Sequence, residues 1–265
     1  MEGKSCLFKQ LGGVDLLPIC LSSKSPEHFK KIVCRIAPIF NAINLEDIAA
    51  PHCFEIEKYL EEKLEIPVFH DDQHGTAIVV IAGLLNSLKL TKKIPEKLKI
   101  VVNGGGAAGL SITQLLIKIG CKNIIICDTK GAIYQSRTFN MNENKRALAK
   151  ITNPNNEQGL LPEVMKGADV FIGVSAGNVV SPEMIKSMAE KSVVFALANP
   201  IPEIMPDVAR KAGAYIVATG RSDFGVNIFY YFRNNSFLKK VDINFTYNSF
   251  IKNYINLIPY SIIIS

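Results

Sequence analysis

Two acidic pairs carry the first chemical signal. The stretch "FHDDQHGTAIVV" (69–80) sets Asp71 and Asp72 side by side at the end of a short apolar run, and "NLEDIAAP" (44–51) holds Glu46 and Asp47. A carboxylate that leaves water is costly unless it is paired or bound to a cation. Adjacent acids closing an apolar strand therefore call for counter-charge. Carboxylate oxygens suit Mg²⁺ or Mn²⁺, hard ions that keep coordination positions open for a substrate. No His/Cys spacing points to zinc, and His70 and His74 read as ordinary polar neighbours of the acids. Glu46 and Asp47 taken alone read rather as acids on a solvated loop. Lys4, in "MEGKSCLFK", reads by itself as a solvated charge, although a lysine beside a metal and a carboxylate can act as a general base.

A second signal is "VNGGGAAGL" (102–110), which contains Gly104-x-Gly106-x-x-Gly109 with Ala107 and Ala108 between the last two glycines. The motif follows a β-rich run, opens a helical pattern, and is followed by Asp128 at the end of the next apolar run. That is the context of a dinucleotide fingerprint. The glycines admit a pyrophosphate close to the backbone, the helix N-terminus offers free N–H groups, and Asp128 would accept hydrogen bonds from a ribose. The competing explanation is a tight strand–helix turn with no ligand. An acid at this position favours NAD, and Lys130 keeps NADP possible. Ser175, with Gly173 and Gly177 in "FIGVSAGN", and Asn199 in "FALANP" follow later apolar runs. Ligands of open α/β sheets bind outside the carboxyl ends of the strands, so Ser175 is placed to line a cofactor cleft and Asn199 to meet a substrate or simply to form an Asn-Pro turn.

These residues need a scaffold. From residue 97 the pattern alternates short apolar runs ("LKIVVNG", "NIIICD", "DVFIGVSA", "SVVFALANP", "YIVATG") with helical segments. This predicts a doubly wound, Rossmann-like parallel α/β sheet, its strands apolar throughout because helices cover both faces. Residues 1–73 predict a smaller, incomplete N-terminal α/β domain, with helices at "SPEHFKKIVCRIAPIF" (Ser25 as N-cap, Pro26 at the first position) and "PHCFEIEKYLEEKL", and a strand at "IPVFHDD". A mostly apolar helix, "GTAIVVIAGLLNSLKL", leads into the alternating part. The expected domains are 1–73, 74–224 and 225–265. The last segment holds ten of the twenty-two Phe and Tyr residues and no Ala, Glu or Gln, and it shows no lasting periodicity. It is expected to be a poorly structured tail.

Composition excludes several classes. The formal net charge is +6, but no basic stripe with interleaved aromatics lies outside the tail, so nucleic acid is not an expected partner. No run of eighteen apolar residues and no leader pattern is visible, so neither a membrane span nor secretion is expected. Six cysteines without a C-x-x-C pair fit free thiols in a reducing, cytoplasmic setting.

The motifs "MEGKSCLFKQLGGVDLLPICL", "APIFNAINLEDIAAPHCFEIE", "IPVFHDDQHGTAIVVIAGLLN", "VVNGGGAAG", "CDTKGAIY", "GADVFIGVSA", "FALANPIPEIMP" and "VATGRSDF" together resemble malic enzyme of the bacterial type, in unbroken order from residue 1 to Phe224. The resemblance implies oxidative decarboxylation of L-malate to pyruvate and CO₂ with reduction of NAD or NADP, in a family of homo-oligomers. It implies that Glu46, Asp47 and Asp72 hold a divalent cation, Mg²⁺ or Mn²⁺. It makes Lys4 the general base with Asp71 as its neighbour, and Asn199 a substrate contact. Family members carry a segment before the "MEGK" motif with a tyrosine and an arginine used in the reaction, and a further asparagine after "RSDF". The expectation is therefore a chain truncated at its N-terminus and divergent after residue 224. Its alternative function is that of an inactive remnant that at most binds dinucleotide.

Overall fold

The computed structural model describes residues 1–23, 25–221 and 260–264. It divides into two units between Gly75 and Thr76, and the strand at the C-terminus belongs to the first of them.

The second unit is built on a six-stranded sheet in the order β6-β5-β4-β7-β8-β9. These strands are β4 (Lys99–Asn103), β5 (Asn123–Asp128), β6 (Gly131–Ala132), β7 (Val170–Gly173), β8 (Val193–Ala196) and β9 (Ile216–Thr219). All pairings are parallel except the short β6, which turns back antiparallel on β5. The alternation of side chains explains why the strands read as unbroken apolar runs. Ile100, Val102, Ile124, Ile172 and Phe195 face a core shared with α4 (Thr76–Thr91) and α5 (Ala107–Lys118). Val101, Ile125, Phe171 and Val194 face a second core on the opposite side. Each strand is thus covered on both faces, as predicted. The chain runs outward from β4 to β5 and returns to β7 on the other side of β4. The reversal opens a crevice at the carboxyl ends of β4 and β7.

Further helices in this unit are α6 (Glu143–Ala149), α7 (Leu161–Val164), α8 (Pro182–Lys186) and α9 (Pro206–Lys211). The helical run Asp71–Thr91 is long and apolar enough to cross a membrane. Its Ala77, Val80, Leu84 and Leu88 are instead buried in the sheet's core.

The first unit holds α1 (Glu2–Gly12), α2 (Pro26–Ile36) and α3 (His52–Lys63) with a parallel four-stranded sheet in the order β1-β10-β2-β3. Its strands are β1 (Asp15–Ile19), β2 (Ala42–Leu45), β3 (Val68–His70) and β10 (Tyr260–Ile264). Ser25 caps α2 by accepting from His28 N at 3.3 Å, with Pro26 in the first turn, as the sequence predicts. Two expectations differ from the structure. The tail is not without structure throughout, because residues 260–264 form β10, whose Ile262 sits in register with Leu17 and Ile43. Ile264 is buried among Phe29, Val33, Leu45 and Leu60. Residues 222–259, with most of the expected tail, lie outside the described residues. The strand carrying the second acidic pair also ends earlier than expected. It stops at His70, and Asp71–Gly75 form one π-helical turn that leads into α4. Acids at a helix entrance are favoured by its free N–H groups.

Candidate active site

The acids of the first unit do meet. Glu46 follows β2, and its backbone N–H donates to Ile264 O at 2.9 Å. Asp47 takes a left-handed conformation (φ 55°), and its N–H donates to Asp72 Oδ2 at 2.9 Å. One carboxylate oxygen from each of Glu46, Asp47 and Asp72 lies within 4.8 Å of the others. Gly75 makes the entrance turn possible, because a Cβ there would fall 2.2 Å from Asp71 Oδ1.

Lys4 is not a solvated charge. Its ammonium donates to both oxygens of Glu46, at 2.5 and 2.6 Å, and to Asp71 Oδ2 at 2.6 Å. Burial works against its charge, but Asp71 and Glu46 outweigh burial and hold the Lys4 pKa above its ordinary value. Burial pushes the Glu46 carboxyl up, the neighbouring Asp71 and Asp72 charges add to that, and Lys4 only partly compensates. Asn44 Nδ2 also donates to Glu46, at 3.1 Å. Two of the four carboxylates, Glu46 and Asp71, thus share one lysine. The remaining negative charge and the all-oxygen donor set of Glu46, Asp47 and Asp72 fit a hard divalent cation.

Around them, Gln73 and His74 both hydrogen-bond Glu57, at 3.1 and 2.8 Å. His70 is fully buried with neither ring nitrogen partnered, and burial lowers its pKa. Glu57 and Asn44 escaped the reading of the sequence, where nothing marks them.

In the second unit, a cavity of about 620 Å³ opens along Gly104–Gly106, Asp128, Lys145 and Ser175. Gly104 and Gly109 are demanded by close approach. Gly104 has φ 141°, and a Cβ on it would lie 2.5 Å from Val174 O; a Cβ on Gly109 would lie 1.8 Å from Gly104 O. Gly106 stands at the N-cap of α5, and Ala107 and Ala108 form its first positions. Their N–H groups are among those a helix cannot satisfy internally.

Asp128 ends β5, as expected, but it is not a free acceptor. Arg137 Nη2 grips both of its oxygens at 2.8 and 3.0 Å, and Lys145 Nζ (2.7 Å), Asn140 Nδ2 (2.9 Å) and the Lys130 N–H (2.9 Å) complete the set. Burial resists ionisation here, yet the contacts with Lys145 and Arg137 prevail and lower the Asp128 pKa. Lys145 also lies against the glycine turn: a Cβ on Gly105 would meet its Cε at 3.0 Å. The β5 end of the cavity therefore carries an acid clamped by two cations. Arg137 and Lys145 were not legible in the sequence, because they reach Asp128 from nine and seventeen residues further on.

Ser175 follows β7 and lines the cavity. Its Oγ accepts from Asn103 Nδ2 at 2.8 Å and donates to Glu203 at 3.2 Å. Asn199 is exposed on the loop after β8, the following peptide is cis, and Pro200 O accepts from Arg221 Nη1 at 2.6 Å.

The family model "Malic enzyme, NAD binding domain" matches residues 73–225. A bifunctional malic/malolactic enzyme of Bacillus subtilis is 52% identical over 224 residues, which cover 84% of this chain and 55% of that protein. An NADP-dependent malic enzyme of Escherichia coli is 45% identical over 227 residues, 84% of this chain and 30% of its own length. Among solved structures, the NAD-dependent malic enzyme of Thermotoga maritima superposes with a TM-score of 0.83 at 52% identity, over 86% of this chain and 61% of that one. The chain spans about half the length, or less, of the curated relatives it matches.

Proposed function

The chain belongs to the malic enzyme family, and we propose that it serves the oxidative decarboxylation of L-malate to pyruvate and CO₂, with reduction of NAD or NADP and dependence on a divalent cation. The observation that carries this reading is the Lys4 ammonium held between Glu46 and Asp71 beside the clustered oxygens of Glu46, Asp47 and Asp72. A base, its orienting acid and a cation-binding set occur together, which is the constellation that removing a hydroxyl proton and then stabilising an enolate requires.

Glu46, Asp47 and Asp72 would hold Mg²⁺ or Mn²⁺, which when bound supplies Lewis acidity toward the malate 2-oxygen. Lys4 Nζ takes the hydroxyl proton as hydride leaves C2 for the nicotinamide. For that it must arrive unprotonated, so Glu46 has to release the ammonium, leaving Asp71 to fix the direction of Nζ. The carbon–carboxylate bond then breaks, CO₂ departs, and protonation of the enolate carbon gives pyruvate. Asn199, exposed at a strand end, serves as the substrate contact. Gly104, Gly106, Ala107, Ala108 and Gly109 present backbone to the pyrophosphate, and Ser175 faces the cofactor. Asp128 and Lys145 together meet the ribose. The acid is suited to a 2′-hydroxyl and the ammonium to a 2′-phosphate, so both NAD and NADP are within reach. The six free cysteines suit a cytoplasmic setting.

The test is a malate-dependent reduced-nicotinamide absorbance assay of the 265-residue chain with Mn²⁺, NAD or NADP. Turnover that disappears in Lys4→Ala supports the reading. Dinucleotide binding without malate turnover replaces it with a cofactor-binding chain that lacks the reaction.

A further inference from the structure

Among the described residues of the second unit, Glu203 is the one fully buried carboxylate, and no described cation forms an ion pair with it. Its Oε1 accepts from Ser175 N at 2.9 Å and from Ser175 Oγ at 3.2 Å, and its Oε2 accepts from Ala198 N at 3.0 Å. Three donors on two different strand-end loops therefore converge on one side chain. The surroundings are cut to fit it. A Cβ on Gly173 would lie 2.4 Å from the Glu203 carboxyl carbon, so β7 must end in glycine for the carboxylate to be seated. The backbone repeats the stitch: Asn178 N donates to Pro202 O and Val180 N to Glu203 O, each at 3.0 Å.

A buried charge without a counter-ion is a poor way to stabilise a fold. An amide of the same shape would be cheaper to bury, but it has a single acceptor oxygen and would turn an NH₂ group against one of the backbone N–H donors. The carboxylate is what satisfies all three donors at once.

We propose that Glu203 is a positioning residue that locks the Ser175 loop to the Asn199 loop and so shapes the nicotinamide half of the cofactor cavity; this rests on the reading that the cavity binds a dinucleotide. The two halves of the cavity are separately built. Asp128, Lys145 and Asn140 form one end at β5, and Val174, Ser175 and Ala176 form the other at β7. With the pyrophosphate over the glycine turn after β4, between these strands, the adenosine lies toward Asp128 and the nicotinamide toward Ser175. Glu203 touches only the second end.

The experiment titrates the full chain and Glu203→Gln with two probes, NADH followed by nicotinamide fluorescence and ADP-ribose, which lacks the nicotinamide, followed by calorimetry. Leaving a buried donor unmet predicts a roughly ten- to hundredfold loss of NADH affinity, with ADP-ribose within about twofold of the parent. A merely structural role weakens both probes together and overturns the proposal, as does a variant that binds both like the parent. If Glu203→Gln does not fold, hydrogen exchange of the unmutated chain decides. NADH, and not ADP-ribose, should slow exchange at 174–180 and 198–203 together, and protection of the first segment alone overturns the lock. A parent chain that binds neither probe overturns the dinucleotide reading and the proposal with it.

Discussion

Arg137→Met tests the clamp on Asp128 at the β5 end of the cavity. The Arg137 side chain is 0% exposed and that of Asp128 7%, so neither charge is screened by water. The guanidinium makes the bidentate grip on Asp128 and also donates to the carbonyls of Phe139 (3.1 Å), Gly131 (3.1 Å) and Ala132 (3.0 Å). Methionine retains most of the apolar stem, so the loss is mainly polar. Asp128 keeps Lys145, Asn140 and the Lys130 N–H, so the cost falls at the low end of the ~3–5 kcal/mol for breaking a buried pair. Three carbonyls losing a donor add ~1 kcal/mol or less each. A destabilisation of about 4 kcal/mol is expected, which for a domain of this size lowers Tm by roughly 8–16 °C. Scanning calorimetry at neutral pH reads it directly. The acid limb gives a second reading. The folded pKa of Asp128 is lowered, so its stabilisation is fully present above the unfolded value of about 3.9. That contribution fades as pH falls through the lower folded value, and Arg137→Met should shrink it. A Tm change under about 3 °C would refute the argument, because it would mean the clamp is replaceable by water.

Lys145→Ala removes the ammonium that lies between Asp128 and the glycine turn. NADP affinity should fall roughly ten- to hundredfold, as for loss of a charge-assisted hydrogen bond, while NAD changes by less than about threefold; equal losses in a titration with both cofactors would contradict the assignment. Asp72→Asn removes a charge from the oxygen cluster and should weaken Mn²⁺ binding by at least about tenfold, read by the paramagnetic effect of the bound ion on water relaxation. Unchanged Mn²⁺ affinity would place the cation elsewhere. Burial pushes the thiols of Cys53 and Cys121 up to about 11 and that of Cys127 up to about 12, whereas Cys6 and Cys20 are exposed. Alkylation of the native chain near pH 8 should therefore label Cys6 and Cys20 first and leave those three unmodified until denaturant is added. Rapid native labelling of Cys127 would show that β5 is not buried as described.

The sequence by itself determined the elements that depend on local rules. The alternation of apolar runs with helical segments after residue 97 named the parallel sheet, since strands covered on both faces can carry few polar residues, and the six strands' cores bear this out. Ser25 and Pro26 marked the start of α2 by capping chemistry alone. The spacing of Gly104, Gly106 and Gly109 named the turn, and at Gly104 and Gly109 only glycine leaves room for the backbone beside it. Tertiary structure decided whatever depends on which distant groups become neighbours. By position Lys4 is an ordinary surface lysine, and only the packing of α1 beside the ends of β2 and β3 brings it onto Glu46 and Asp71, 42 and 67 residues away. Asp128 was legible as an acid at a strand end, but not as an acid already clamped by Arg137 and Lys145. The C-terminal "YSIII" lies between β1 and β2, elements from the other end of the chain, where it satisfies the backbone groups of both. Glu203 was hidden most completely. Its environment is made of backbone N–H groups from two loops, and a sequence does not display which way those point.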